Sequence, residues 1–174
     1  ATGAASGLAA AHAAHVVHRD IKPSNLWITE SARPNDPVTV KVLDFGLVKT
    51  GEISVYELTT GGETVGTPSY MSPEQVEGRS NITGSADLYA LSVVFFELVV
   101  GHAPYAATTI TDTLMAHLTK PIPRPDSAIN GCALSPAIQE IWMRGLAKKV
   151  SERFLDAADM MAALRPLVEA GGTL

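Results

Sequence analysis

The sequence lacks the features that mark several large classes of proteins. Cys132 is the only cysteine, so the chain can form no internal disulfide, which is usual in a reducing compartment. The net charge is −5 and no run of basic residues occurs, which argues against nucleic-acid binding as a main function. With 174 residues, 46% of them apolar, the chain can nevertheless form one domain with a sizeable core.

A membrane-spanning run and a leader sequence are also missing. The longest apolar run, Leu88 to Val100, is interrupted by Ser92 and Glu97 and is too short and too polar to cross a bilayer. We expect it to form a buried helix instead. The first residue is Ala1 rather than Met, and no signal peptide is recognisable. We therefore expect a fragment, a processed product or a trimmed chain.

Two polar motifs carry most of the chemical information. Residues 18–25 read HRDIKPSN, and residues 44–46 read DFG directly after an apolar run. Five fixed residues in register with a correctly placed triplet are very improbable by chance, since each residue type occupies only about one position in twenty. The alternative is a polar loop in which Arg19 and Lys22 merely form ion pairs with Asp20. The second motif argues against that simpler interpretation.

These motifs resemble the catalytic loop and the magnesium-binding turn of protein kinases, most closely the bacterial, eukaryotic-like Ser/Thr kinases. The resemblance implies that Asp20 accepts or orients the proton of the substrate hydroxyl and that Lys22 binds the γ-phosphate of ATP. It also implies that Asn25 and Asp44 bind Mg²⁺ through oxygen atoms, which suit this cation.

Local patterns predict how the two motifs are brought together. The alanine-rich residues 3–15 predict a helix that leads into the catalytic loop. Residues 26–29 and 38–43 are rich in β-forming residues and predict a hairpin. Such a hairpin would place Asn25 at the start of one strand and Asp44 at the end of the other, at the same edge.

By the same resemblance, residues 44–74 form the activation segment. Thr67 is expected to contact Asp20 and Lys22 near the site where the protein substrate docks. Arg19 is expected to receive a phosphate added to this segment, because a dianion pairs strongly with guanidinium. The candidate phosphorylation sites are Thr59, Thr60 and Thr64; mass spectrometry of active protein that found all three unmodified would contradict this hypothesis.

Three further positions match structural motifs of the family. Glu74, in Ser-Pro-Glu at residues 72–74, is expected to form a buried ion pair with Arg153; the alternative is two unrelated surface charges. Asp87 is expected to accept backbone hydrogen bonds from the catalytic loop. Ser92 stands where the family usually has glycine, so a small residue is kept.

The remaining helices follow from apolar spacing. They are predicted at residues 108–119, at 135–149 with Ser135 as the cap, and at 155–169, and the last has an inward stripe of Leu155, Ala158, Met161, Leu164, Leu167 and Val168.

Two other features have alternative interpretations. His12 and His15 are possible metal ligands, although histidines at the surface or end of a helix explain them better. Prolines between residues 121 and 125 match a polyproline ligand less well than a loop.

The fold expected for residues 1–174 is mainly α: the C-terminal lobe of a protein kinase, with a short β-hairpin that carries the catalytic loop (18–25) and the DFG turn (44–46). A glycine-rich loop, its lysine and the partner glutamate of an N-terminal lobe are absent from the sequence. The resemblance implies ATP and Mg²⁺ as cofactors and Ser/Thr residues of proteins as substrates; autophosphorylation is left open.

Two functions of different classes remain at this point. One is an ATP-dependent protein Ser/Thr kinase in the cytoplasm. If its parent protein is anchored in a membrane, the anchor lies outside this segment. The other is a half-kinase without catalytic activity that binds other proteins through its helical lobe. For the 174-residue chain alone we expect weak nucleotide binding and little or no turnover, because the upstream parts of the ATP site are missing.

Overall fold

The computed structural model describes residues 2–29, 38–45, 68–125 and 131–169. Within these ranges the chain is mainly helical, with one two-stranded sheet. In order, the elements are α1 (Thr2–Ala13), β1 (Leu26–Thr29), β2 (Thr39–Val42), α2 (Pro73–Val76), α3 (Gly84–Val100), α4 (Ile110–Thr119), α5 (Pro136–Gly145) and α6 (Ala157–Glu169). Short 3₁₀ turns occupy Pro23–Asn25, Pro68–Tyr70 and Val150–Glu152. In these ranges, no helix combines the length and the apolar character needed to cross a membrane.

Helix α3 is the central element of the core. On one side it shares an apolar cluster with α1 and α6, in which Leu8, Leu91 and Met160 are buried. On another side it packs against α5, where the rings of Phe96 and Trp142 lie 5.1 Å apart in an edge-to-face arrangement. The predicted buried helix is therefore confirmed, although Leu98 points to solvent and is 67% exposed.

The predicted hairpin is also confirmed. Strands β1 and β2 are antiparallel, with Leu26 opposite Val42 and Thr29 opposite Thr39. One further hydrogen bond, from the N–H of Leu43 to the carbonyl of Asn25 (2.8 Å), extends the pairing beyond the strands. Helix α1 packs against β2, so the hairpin edge that carries Asn25 is fixed to the helical core.

Two helices end earlier than the sequence predicts. Helix α1 stops because His15 adopts a left-handed conformation (φ 59°), which an α-helix does not continue. Helix α5 ends at Gly145 and not near Lys149. Beyond this helix end, the Nζ atom of Lys148 donates to the carbonyl of His117 (2.8 Å).

The inward stripe predicted for the last helix is wrong at Leu155, Ala158 and Val168, which are exposed. Leu155 precedes helix α6 and is 86% exposed. Its N–H donates to Asp159 Oδ2 (2.9 Å), while Asp156 Oδ1 accepts from the N–H of Asp159 (2.8 Å), so these residues cap the helix. Val168 lies beyond Leu164, the last buried residue of the helix, and is 62% exposed.

Ser92 and Gly145 form a close contact between α3 and α5. The hydroxyl of Ser92 is buried and donates to the carbonyl of Leu88 (2.7 Å). A Cβ atom added at Gly145 would overlap this hydroxyl and lie 2.6 Å from the Cβ of Ser92. Gly145 thus provides the space that the serine side chain occupies.

We therefore expect Gly145→Ala to lower the free energy of unfolding by about 1–3 kcal/mol, as overpacking of a tight core does. Ser92→Gly should remove much of this cost when the two changes are combined, so a double-mutant cycle in urea should show a favourable coupling. Equal costs for Gly145→Ala with and without Ser92→Gly would contradict the steric explanation.

Candidate active site

The backbone of the catalytic loop is held by Asp87 in the first turn of α3. Its carboxylate is buried and accepts the N–H of His18 (2.9 Å) and the N–H of Arg19 (2.8 Å), as predicted. Arg19 has a left-handed backbone (φ 66°), which costs a non-glycine residue roughly 1 kcal/mol. The two hydrogen bonds to Asp87 stabilise this strained conformation directly before Asp20.

His12 is a third partner of Asp87 that sequence reasoning missed. Its Nε2 atom donates to Asp87 Oδ2 (2.8 Å). His12 thus lies at the end of helix α1, as one of the two alternatives expected, but it is largely buried and bonds to Asp87. No cluster of three His, Cys, Asp or Glu ligands occurs in the described ranges. One signal was available: His12 follows the buried Leu8 by four residues, which places both on the same helix face.

His18 connects the catalytic loop to the strand before Asp44. Its ring is buried, and Nε2 donates to the carbonyl of Leu43 (2.8 Å), while Nδ1 accepts the N–H of Asp20 (3.3 Å). The ring also packs against Phe45, with 5.0 Å between the ring centres. Since both nitrogens bond to backbone groups, His18 supports the loop and is not placed to react.

Asp20, Lys22 and Asn25 form one polar group at the end of the hairpin. The Nζ atom of Lys22 lies 2.8 Å from Asp20 Oδ2, and both side chains are partly exposed. The amide nitrogen of Asn25 donates to the carbonyl of Asp20 (2.8 Å) and approaches Asp20 Oδ2 (3.4 Å). The nitrogen therefore faces Asp20, and the amide oxygen of Asn25 is left for another partner.

Asp44 follows β2 at the edge where Asn25 precedes β1. It is exposed and has a left-handed backbone (φ 50°), a conformation that aspartate tolerates better than most residues. The hydrogen bond between Leu43 and Asn25 connects the two positions. A carboxylate and an amide oxygen at one edge form a donor set that fits Mg²⁺, which takes few protein ligands and shares the others with phosphates and water.

Glu74 and Arg153 form the predicted ion pair, buried between the start of α2 and the turn before α6. The guanidinium is bidentate, with Nη1–Oε1 and Nη2–Oε2 distances of 2.8 and 2.7 Å. Burial raises the pKa of Glu74, but the hydrogen bonds and charge of Arg153 outweigh it, so the pKa lies below its usual value. Arg153 also lies over the ring of Tyr89, 4.8 Å from its centre.

Gln75 is a second residue that sequence reasoning missed. Its Nε2 atom donates to the carbonyl of Arg19 (2.8 Å), and its Oε1 atom accepts the N–H of Ser72 (3.0 Å). The start of α2 is thereby tied to the strained residue of the catalytic loop.

Four other predicted positions, namely Thr59, Thr60, Thr64 and Thr67, lie outside the described residues, as does Gly46.

Comparisons with known proteins identify the family of the chain. Residues 1–163 match the model of the family described as protein kinase domain. Serine/threonine-protein kinase Pkn1 of Myxococcus xanthus is 40% identical over 158 residues, which are 91% of this chain and 22% of that protein. Serine/threonine-protein kinase PknD of Mycobacterium tuberculosis is 38% identical over 159 residues, 91% of this chain and 22% of its own length.

A third relative is serine/threonine-protein kinase PknL of Mycobacterium tuberculosis. It is 34% identical over 163 residues, which cover 94% of this chain and 38% of PknL. The chain thus spans between about a fifth and two fifths of the length of these curated relatives. Because the family model covers nearly the whole chain, the chain belongs to the protein kinase domain family.

Proposed function

We propose that this chain is the C-terminal, helical lobe of a protein Ser/Thr kinase, which transfers the γ-phosphate of ATP to Ser and Thr hydroxyls of proteins. One observation carries the proposal. Asp20, Asn25 and Asp44 lie at the same end of one hairpin, and the loop that carries Asp20 and Asn25 has its backbone fixed by the buried Asp87. Such fixed positions are what phosphoryl transfer requires of a protein.

Each residue of this group has a chemical role in the proposal. Asp20 accepts the proton of the attacking hydroxyl, and its partly exposed carboxylate is accessible to a substrate. Lys22 contributes a cation beside this base and binds the γ-phosphate. Asn25 and Asp44 would hold Mg²⁺, which when bound neutralises charge on the phosphates.

The surface of the hairpin supports the assignment to one lobe of a larger domain. Trp27, Ile28 and Val38 are 60%, 64% and 63% exposed, although side chains of this size are usually buried. Trp27 and Ile28 are consecutive in β1 and face opposite sides of the hairpin, so apolar surface is exposed on both sides. Exposed apolar surface of this kind beside a polar site is typical of a region that another part of the protein covers. We propose that the other lobe of the kinase domain covers this hairpin in the complete protein.

Location and regulation follow from the same proposal. ATP is a cytoplasmic substrate, so the kinase lobe is expected to work on the cytoplasmic side. Arg19, whose side chain is exposed next to Asp20, is the proposed acceptor for a phosphate on the activation segment, with Thr59, Thr60 and Thr64 as candidate sites. Thr67 is proposed to contact Asp20 and Lys22 when the substrate docks.

The direct test is phosphate transfer by the complete natural protein. With Mg²⁺ and ATP labelled at the γ-phosphate, we expect label on Ser or Thr of an added protein, whereas the 174-residue chain alone should show little turnover. Complete protein that transfers no label would favour the interaction module without catalytic activity. Transfer by the chain alone at the rate of the complete protein would contradict the assignment to a single lobe.

The metal site has a separate test. Asp44→Asn should weaken the binding of Mg·ATP by about 10- to 100-fold, because a hydrogen bond or ligand contact to a charged group is worth about 1.5–3 kcal/mol. Calorimetric titration of the complete protein at several Mg²⁺ concentrations measures this loss. Glu140→Gln, which removes the same charge from the exposed face of α5, is the control and should leave binding unchanged.

A further inference from the structure

The peptide group between Arg19 and Asp20 lies directly before the proposed general base and has partners at both of its polar atoms. Its carbonyl oxygen accepts a hydrogen bond from Gln75 Nε2 (2.8 Å). Its N–H donates to Nδ1 of the buried His18 (3.3 Å). Since a peptide group is planar, partners at both atoms fix the orientation of the whole plane. Asn25 holds the following peptide through the carbonyl of Asp20 (2.8 Å), and of these three partners Gln75 is the one from outside the catalytic loop.

The backbone conformation held in this way is an unfavourable one. Arg19 is left-handed (φ 66°), and such a conformation persists in a residue other than glycine only where its surroundings enforce it. The N–H of Arg19 donates to Asp87 Oδ1 (2.8 Å) of α3, and its carbonyl accepts from Gln75 of α2. Side chains of two helices therefore hold the two peptide groups that flank the strained residue. A loop that lost one of them could relax and rotate Asp20.

Gln75 is itself held firmly enough to act as a support. Its neighbours in sequence, Glu74 and Val76, are both buried. Its Oε1 atom accepts the N–H of Ser72 (3.0 Å) and the hydroxyl of Ser72 (3.1 Å). Because a backbone N–H can only donate, the oxygen of the amide faces Ser72 and the nitrogen faces Arg19. One end of the side chain thus caps α2, and the other end binds the catalytic loop.

The capped end of Gln75 belongs to the activation segment expected at residues 44–74. Ser72 is fully buried and follows the 3₁₀ turn Pro68–Tyr70 by two residues. The side chain of Gln75 therefore joins the end of this segment to the peptide before Asp20. Asp87 holds the same loop from the core of the lobe, so the two supports connect the loop to different parts of the chain.

We propose that Gln75 is a positioning residue for Asp20: its amide N–H holds the carbonyl of Arg19, fixes the Arg19–Asp20 peptide and ties it to the end of the activation segment. This inference rests on the proposed function, in which Asp20 is the general base. Gln75 does not touch the reacting atoms. It acts through the backbone that orients the carboxylate of Asp20.

Gln75→Glu separates the two ends of the side chain. The carboxylate keeps an oxygen for the N–H of Ser72 but has no N–H for the carbonyl of Arg19. In the complete protein we expect kcat to fall about 3- to 10-fold, the worth of one hydrogen bond, because fewer molecules then hold Asp20 in the productive orientation. The KM values for ATP and for the protein substrate should stay within about twofold.

A matched control adds the same charge to another helix. Gln139→Glu lies in the first turns of α5, which also begins with Ser-Pro, and should leave kcat unchanged. Gln75→Met removes both ends of the amide without adding charge, so it should lower kcat as Gln75→Glu does and also lower the Tm. A natural kcat in Gln75→Glu, or a fall in kcat in Gln75→Met alone, would overturn the proposal, since the cap and not the bond to Arg19 would then matter.

Hydrogen exchange gives a readout that does not need activity. The N–H of Asp20 reports on the peptide that Gln75 holds, and the N–H of Val76, which donates to the carbonyl of Ser72 (3.0 Å), reports on α2. Gln75→Glu should accelerate exchange at Asp20 about 3- to 10-fold and leave Val76 unchanged. Acceleration at both positions, or at neither, would contradict the proposal. If the natural protein transfers no phosphate, the proposed function fails, and exchange alone decides whether Gln75 fixes the peptide.

Discussion

Asp20→Asn is expected to lower kcat of the complete protein by about 10²- to 10⁴-fold, the usual contribution of a general base, with little change in the KM for ATP. Asparagine has nearly the same shape but cannot accept the proton of the substrate hydroxyl. The fold should be unaffected, because the Asp20 side chain is 41% exposed and its ion pair with Lys22 is only partly buried. Such pairs contribute about 0–1 kcal/mol.

Asp87→Asn is the informative comparison for this experiment. Asp87 is buried and accepts three hydrogen bonds, from His12, His18 and Arg19, so its amide variant should lose stability as well as activity. Steady-state kinetics and thermal unfolding of both variants distinguish the two roles. If Asp20→Asn kept activity within about tenfold of the natural protein, Asp20 would not be the general base.

The hairpin and the positions of Asn25 and Asp44 could be predicted from the sequence because the determinants are local. Residues 38–43 alternate in polarity, and a strand that pairs with its neighbour in sequence has few possible registers. Once the hairpin is accepted, the position of both polar residues at one edge follows. Helix α3 was predictable for a similar reason, since an apolar run with few charges has to be buried.

The contacts that hold this site could not be found in the same way. The bonds from His12 to Asp87 and from Tyr89 to His117 join residues 75 and 28 positions apart, and no local pattern specifies such partners. The pairing of Glu74 with Arg153, 79 positions apart, was predicted from the family resemblance alone. Leu155 was misplaced because apolar spacing continued past the point where Asp156 caps the helix.

Arg153→Met is expected to lower the free energy of unfolding by about 3–5 kcal/mol, because it leaves the carboxylate of Glu74 buried without its partner. Glu74 and Arg153 are 5% and 3% exposed, so water cannot replace the lost bonds. The guanidinium also donates to the carbonyls of Ala147 (2.8 Å), Ser85 (3.2 Å) and Lys148 (3.2 Å). Methionine fills much of the same volume but satisfies none of these acceptors.

The same segment provides a matched control. Lys149 and Glu152 form an ion pair at 3.0 Å whose side chains are 76% and 55% exposed. Lys149→Met should change stability by less than about 1 kcal/mol, since exposed pairs are screened by solvent. Urea unfolding of the two variants thus compares the same chemical change in buried and exposed positions a few residues apart. A cost below about 1 kcal/mol for Arg153→Met would contradict a structural role for the buried pair.

The double variant Glu74→Gln/Arg153→Met tests the cause of the loss. If the buried, unpartnered charge dominates, the double variant should be more stable than Arg153→Met alone, because glutamine carries no charge.

Acidification has a related effect on the natural protein. The folded pKa of Glu74 lies below the value of 4.5 expected for the unfolded chain, so the pair stabilises the fold above that pH. This contribution is lost as the pH falls through the folded pKa, and the double variant should lack that part of the pH dependence.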